Sequence, residues 1–369
     1  MPDKNNTITV DGSKKKKRKS KIILTILFIL INIVVIAVTA LSEFGNSKNA
    51  TKLFEIKINW WLLIPAVLCF LVATIIDVSK YALMMRKLSS EEIFKEKDGW
   101  KIARRTVLLG KYYDNITPAA VGGQPFQIYY MRKKSGLSRG DSTSVPMFGM
   151  ISLQISFIII ALICFLFGGV ANDYPALIVT AWIGLAFYAF WPIMVAGVSF
   201  FPKPTTAFIK FIVKILAKVK IVKNRREALE KVENEVDEYA KSVKTILKTR
   251  GLFFQTIILS LIYNLFFASI PFFVLTAFGG DVNFWSCFGT TIAVMSAVYF
   301  IPTPGNSGAA EGTFFVVFSA LSSGYVFWAM LVWRFFSYYI YIIVGLIIYF
   351  MTHIRKEDLG EYKKKVEKD

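Results

Sequence analysis

Two Pro/Gly-rich breaks interrupt an otherwise apolar chain, and they limit its fold more than any other feature. The first is PAAVGGQP, Pro118 to Pro125, and the second is PTPGNSGAAEG, Pro302 to Gly312. Proline removes a backbone donor and glycine weakens helix, so neither stretch continues as regular helix. In lipid each unsatisfied amide or carbonyl costs several kcal/mol, so such backbone persists at membrane depth only where protein buries it or where it lines a wet cavity. Two of them at corresponding places in the two halves of a chain point to a transporter's substrate site.

Membrane depth is the right frame. Of 369 residues, 55% are hydrophobic, and the mean hydropathy is +0.51, which marks an integral membrane protein. The net charge of +19 fits Lys and Arg held on the cytoplasmic side beside anionic headgroups. No nucleic-acid partner is expected, because the basic residues fall between apolar runs without a reading motif. Cys69, Cys164 and Cys287 lie far apart inside apolar runs and read as small buried hydrophobes. The single histidine, His353, follows the last apolar run. No metal-ligand spacing, Ser–His–Asp set or phosphate loop is present, so no cofactor and no catalytic residue is expected.

The chain reads as a basic N-terminus (1–21), a membrane domain (22–352) and a basic tail (353–369). Full spans are expected at Ile22–Leu41, Trp60–Val78, Val145–Val170, Pro175–Phe201, Leu252–Phe278 and Tyr325–Thr352. The first is about 20 residues, enough to cross and too long for a cleavable signal. Residues 202–251 carry a Lys210, Lys214, Lys218 stripe and 3–4 apolar spacing, which suits an amphipathic interfacial insertion.

The remaining two apolar segments, Thr106–Met131 and Phe284–Leu321, contain the breaks. Ahead of Pro118 only about 12 residues can be helical, roughly 18 Å against a bilayer core of about 30 Å. Five basic regions (1–21, 79–105, 131–144, 202–251 and 352–369) hold 39 of the 44 Lys and Arg. Placing all five in the cytoplasm requires each broken segment to leave on the side it entered. The expectation is an all-α polytopic protein with about six full spans. Two re-entrant helical hairpins enter from opposite faces as an inverted repeat, and both termini are cytoplasmic.

Ionisable groups at membrane depth are costly and mark function by default. They are Asp77, Lys111, Asp114, Glu311 and Arg334. Asp77 reads more simply as an i,i+3 partner of Lys80 that snorkels. Lys111 and Asp114 have the same spacing and read equally as a structural pair or as function. Arg334 needs a partner, and Glu311 or a lipid phosphate would serve. Gly122, Gly123, Gly305 and Gly308 would let backbone N–H groups point at an anion near the start of a half-helix, although glycines also serve close helix packing.

The stretches Asp114–Gln127 and Pro302–Gly312 resemble the paired signatures of the lysylphosphatidylglycerol synthetase/flippase membrane-domain family, the transmembrane half of the multiple peptide resistance factor. Arg334 and Gly345 match its last span, and the likeness covers roughly residues 20–350. The resemblance implies a bacterial plasma-membrane protein moving an anionic or aminoacylated phospholipid between leaflets and conferring resistance to cationic peptides. Many members carry Glu at Gln124 and Arg at Gln127. The family's soluble aminoacyl-transferase domain is not expected within these residues. A phosphatidylglycerol lysyltransferase, or a non-catalytic membrane subunit of one, is the alternative. The expected partners are therefore a membrane phospholipid and a separate synthase, with self-association open. The site expected on these grounds comprises Asp114, Asn115, Pro118, Gly122, Gly123, Gln124, Pro125 and Gln127 from the first break. The second break and the last span add Pro304, Gly305, Asn306, Ser307, Gly308, Glu311 and Arg334.

Overall fold

The computed structural model describes residues 58–118 (except 90), 122–167, 175–201, 249–321 and 325–351, with Leu41 and scattered positions between 203 and 244. The expected span Ile22–Leu41, both basic termini and nearly all of the 202–251 insertion lie outside the described residues. Those that are described form helices and no strand. They are α1 (Trp60–Leu88), α2 (Glu91–Glu96), α3 (Gly99–Ile116), α4 (Gly123–Lys134), α5 (Arg139–Phe167), α6 (Pro175–Phe200), α7 (Arg250–Ala277), α8 (Phe284–Val298), α9 (Ala309–Leu321) and α10 (Val326–Met351). Five of them, α1, α5, α6, α7 and α10, are long and apolar enough to cross a membrane.

Local chemistry sets several of the ends. Asn283 caps α8, its side-chain oxygen accepting from the N–H groups of Trp285 at 2.9 Å and Ser286 at 3.3 Å. Arg86 and Lys87 close α1, where cations favour the negative end of the helix dipole. Along α1, Ala66, Phe70 and Ala73 are buried while Leu68, Leu71 and Ile75 face outward, an apolar exterior suited to lipid.

Three boundaries lie well away from those the sequence predicts, one of them the start of α5 at Arg139 instead of Val145. Helix α1 does not stop at Val78 but continues ten residues to Leu88, and α3 begins at Gly99 instead of Thr106. The basic residues of 79–105 read as loop because charge dominates the pattern, yet Lys80 is wholly buried and held by partners on other helices.

Each broken segment is two helices that touch. Helix α3 packs on α4 across the first break, and α8 packs on α9 across the second. The packing is reciprocal: α10 lies on α3, while α5 lies on α8. Gly345 brings α10 against Tyr112 of α3, where an added Cβ would sit 2.3 Å from that side chain. Helices α1 and α7 form the most extensive pair among the described residues.

Two apolar cores result. One gathers Ala66, Cys69, Phe70, Phe157, Phe165 and Val274, and the other gathers Val78, Met84, Met85, Val145, Phe148 and Leu252. Between them α1, α5 and α7 bury Asp77, Lys80, Ser152, Gln154, Ser156, Thr256, Ser260 and Asn264. A polar layer thus crosses the middle of an apolar bundle.

Candidate functional site

The first break is stitched by its own side chains. The Thr117 hydroxyl donates to the Tyr113 carbonyl at 2.7 Å and accepts from the Gly122 N–H at 2.9 Å. Asp114 Oδ1 accepts from the Gly123 N–H at 2.8 Å. Groups that a helix end would leave without partners are thereby satisfied. The approach is close: a Cβ at Gly123 would lie 2.3 Å from Asp114 Oδ1.

At the second break, Gly305 and Asn306 both take left-handed backbone (φ 59° and 55°). The Glu311 carboxylate reaches back to the Gly308 N–H at 2.7 Å, the return half of a capping box on α9. Its other oxygen accepts from Arg334 Nε at 2.7 Å. Arg334 Nη2 donates to the Gly305 carbonyl at 3.2 Å and to Ser307 Oγ at 3.1 Å. The guanidinium also lies 4.6 Å from the Tyr338 ring centroid. Of the two partners the sequence offers Arg334, the structure selects Glu311.

Immediately after Arg334, α10 contains a π-helical turn, Phe335–Tyr339. Tyr338 there touches both breaks. Its carbonyl accepts from Asn115 Nδ2 at 3.4 Å, and a Cβ at Gly305 would lie 2.2 Å from its ring.

A third cluster sits in the polar layer. Asp77 pairs with Lys80 at 3.0 Å and with Lys111 at 3.4 Å. Lys80 also donates to the Gly149 carbonyl at 3.0 Å and to Ser260 Oγ at 3.3 Å. Lys111 donates to the Tyr263 hydroxyl at 3.0 Å, with its ammonium 4.9 Å and 5.3 Å from the Tyr263 and Tyr341 ring centroids. The i,i+3 spacing does join Asp77 to Lys80, but the pair is buried and does not snorkel. The same spacing does not join Lys111 to Asp114. Asp77 claims Lys111, since α1 packs on α3 and brings the carboxylate to it.

A cavity of about 310 Å³ lies beside α3, the second break and α10. It is lined by Lys111, Asp114 and Asn115 of α3, by Gly305 and Asn306 of the second break, and by Arg334 and Ser337 of α10. Asn264 and Tyr263 of α7 and Tyr188 and Tyr299 complete the walls. Asn264 is fixed by donating to Ser156 Oγ at 2.7 Å and the Leu153 carbonyl at 3.2 Å.

Of the residues the sequence singles out, Asp114, Asn115, Gly305, Asn306 and Arg334 meet at this cavity. The others hold the breaks or stand apart from it. Gly122, Gly123 and Gly308 give their N–H groups to Thr117, Asp114 and Glu311, so these amides point at the protein's own oxygens. Ser307 braces Arg334, and Glu311 is 1% exposed. Gln127 is buried and accepts from the Tyr81 hydroxyl at 3.2 Å. Pro118 and Pro125 are exposed, Gln124 and Pro304 are half-buried, and none of the four lines the cavity. Sequence reasoning missed Asn264, Ser337 and the tyrosines, which carry no local signal. Lys111 was visible as a charge inside an apolar stretch.

A family profile described as "Lysylphosphatidylglycerol synthase TM region" matches residues 22–345. The chain belongs to that family. Its match spans both breaks and reaches Gly345, the residue that seats α10 on α3. No curated protein and no solved structure matches the chain. Membership ties the domain to lysylphosphatidylglycerol handling in a membrane.

Proposed function

We propose that this protein is a lipid translocase, a flippase or scramblase that passes an anionic or aminoacylated phospholipid headgroup through the cavity beside α3, the second break and α10. One observation carries the reading: charged side chains of α3 and α10 and the irregular backbone of the second break meet at a cavity inside an otherwise apolar bundle. Irregular backbone, ionised side chains and a void are each costly at membrane depth, and all three serve a polar group in transit. In this reading both broken segments are re-entrant hairpins, from the cytoplasmic and the outer face respectively. The reciprocal packing of α10 on α3 and of α5 on α8 is what an inverted repeat would produce. The basic ends of α1 and α4 lie on the cytoplasmic side.

The test is transport of fluorescent phospholipid in vesicles containing the purified protein. Met295 lines the cavity, and Met295→Trp fills it without touching an ion pair. Transport should slow at least tenfold while the thermal midpoint stays within a few degrees. An unchanged rate would remove the cavity from the path.

The family description also supports a second reading, in which the domain serves as the membrane subunit of a synthase. Lysyl-lipid made in cells expressing this chain and no other synthase would favour it.

A further inference from the structure

The cavity wall already holds an alkylammonium group, and the chain itself supplies it. Lys111 places its ammonium 3.4 Å from Asp77 and donates to the Tyr263 hydroxyl at 3.0 Å. The rings of Tyr263 and Tyr341 flank the same nitrogen, with centroids at 4.9 Å and 5.3 Å. A carboxylate, a hydroxyl and two aromatic faces make a receptor for one primary ammonium. Lys111, Tyr263 and Tyr341 line the cavity, whereas Asp77 does not and is 3% exposed. The Lys111 ammonium thus fills the receptor on its cavity side.

The two lysines on Asp77 are held differently. Lys80 lies 3.0 Å from the carboxylate, donates also to the Gly149 carbonyl and Ser260 Oγ, and its side chain is 1% exposed. The Lys111 side chain is 20% exposed and has a second carboxylate within reach. Asp114 lies three residues on, a spacing at which helical side chains meet, and both line the cavity. Asp114 already feels the Lys111 charge, although the two form no ion pair. Were Lys111 to turn to Asp114, Asp77 would keep Lys80. A buried carboxylate losing its last cation would oppose such a move, and here none does.

We infer that Lys111 is a tethered stand-in for the substrate: the pocket of Asp77, Tyr263 and Tyr341 receives the side-chain ammonium of a lysyl headgroup, and Lys111 turns to Asp114 as it enters. The inference rests on the translocase reading and names the part of the headgroup that is recognised, a primary ammonium on a flexible four-carbon stem. Lys111 presents that same group, so a lysyl ester fits where Lys111 now fits. The family's tie to lysylphosphatidylglycerol supplies the source of such a group. Ser337 Oγ, buried at the cavity and without a hydrogen-bond partner among the described residues, is a further polar atom open to the incoming headgroup. Phosphatidylglycerol without its lysyl ester has nothing with which to displace Lys111.

Binding is measured by Trp fluorescence of the detergent-solubilised full chain, which has Trp333 in the cavity wall. Short-chain lysylphosphatidylglycerol is compared with its Nε-acetyl derivative, which keeps the stem without the charge, and with the alanyl ester, which keeps only the α-ammonium. The lysyl lipid should bind about tenfold more tightly than either. Lys111→Ala empties the pocket, and the lysyl lipid should then gain about a further tenfold while the other two change by less than about threefold. The freed side chain, n-butylammonium, should compete with lysyl lipid in Lys111→Ala and raise that variant's thermal midpoint, with a much smaller effect on the wild type. Equal wild-type binding of the lysyl lipid and its Nε-acetyl derivative overturns the inference, whether or not the variant folds. A Lys111→Ala protein that binds lysyl lipid no better, or gains equally for the alanyl ester, overturns it too. Lysine ethyl ester should bind at least about tenfold more weakly than the lipid; equal binding would assign the pocket to a soluble amine and overturn the lipid assignment. If vesicles show no translocation while this binding order holds, the translocase reading fails and the ammonium pocket stands.

Discussion

The two breaks solve one problem with the same parts and leave different remainders. Each satisfies a glycine N–H at the start of its second helix with a carboxylate, Asp114 for Gly123 and Glu311 for Gly308. At the second break the carboxylate lies inside the helix it caps and is closed off by Arg334, which also clasps Gly305 and Ser307. At the first break it comes from the preceding helix, and among the described residues no cation forms an ion pair with it. The second break is therefore a neutral latch, and the first presents a charge. Backbone repair and ligand recognition use one side chain at the first break and separate groups at the second.

The largest effect should come from opening the latch. Arg334→Ala leaves Glu311 buried and unpaired, a loss of about 3–5 kcal/mol. The thermal midpoint in detergent should fall steeply, and Arg334→Lys should restore only part of it, because one ammonium cannot serve Glu311, Gly305 and Ser307 together. A stable Arg334→Ala protein would show that the latch holds nothing.

Gly305→Ala comes next. It forces a left-handed φ of 59° on a residue with a Cβ that would lie 2.2 Å from the Tyr338 ring. About 2 kcal/mol or more should be lost, again read as a lower midpoint. The matching change at the first break, Gly123→Ala, has ordinary φ, and only the Asp114 carboxylate stands in the way. About 1 kcal/mol should be lost there, since a carboxylate can swing aside. Equal losses at the two glycines would mean that the breaks are equally rigid.

Much of this contrast was legible in the sequence, and the illegible part has a physical cause. Proline and glycine announce both breaks because their backbone limits are local. Arg334 announces its need for a carboxylate because a lone guanidinium in lipid is prohibitive, and Glu311 was on hand. The partner of Lys111 was not legible. Asp114 stood one helical turn away, but Asp77, in another helix, won through tertiary packing. The extent of α1 was hidden for the same reason: Lys80 reads as surface until Gly149 and Ser260 supply its acceptors.

Asp114→Asn separates the two duties of the first break. The amide oxygen still accepts from the Gly123 N–H, so stability should change by less than about 1 kcal/mol. Transport of aminoacylated phospholipid in vesicles should nonetheless drop about tenfold, since the charge facing the headgroup is gone. The counterpart Glu311→Gln should do the reverse, costing stability by stranding Arg334. If Asp114→Asn instead unfolds the protein with transport per folded molecule intact, the first break is a latch like the second.

The smallest effect is expected at Gly312, although it closes the second Pro/Gly-rich stretch. It lies inside α9, and a Cβ there would meet nothing within 4 Å. Alanine favours helix over glycine by up to about 1 kcal/mol. Gly312→Ala should therefore leave the thermal midpoint unchanged or raise it slightly, with transport intact. A marked loss of either would mean that α9 receives a neighbour during the transport cycle. Gly312 would then belong with Gly305 as a contact, which the neutral latch does not require.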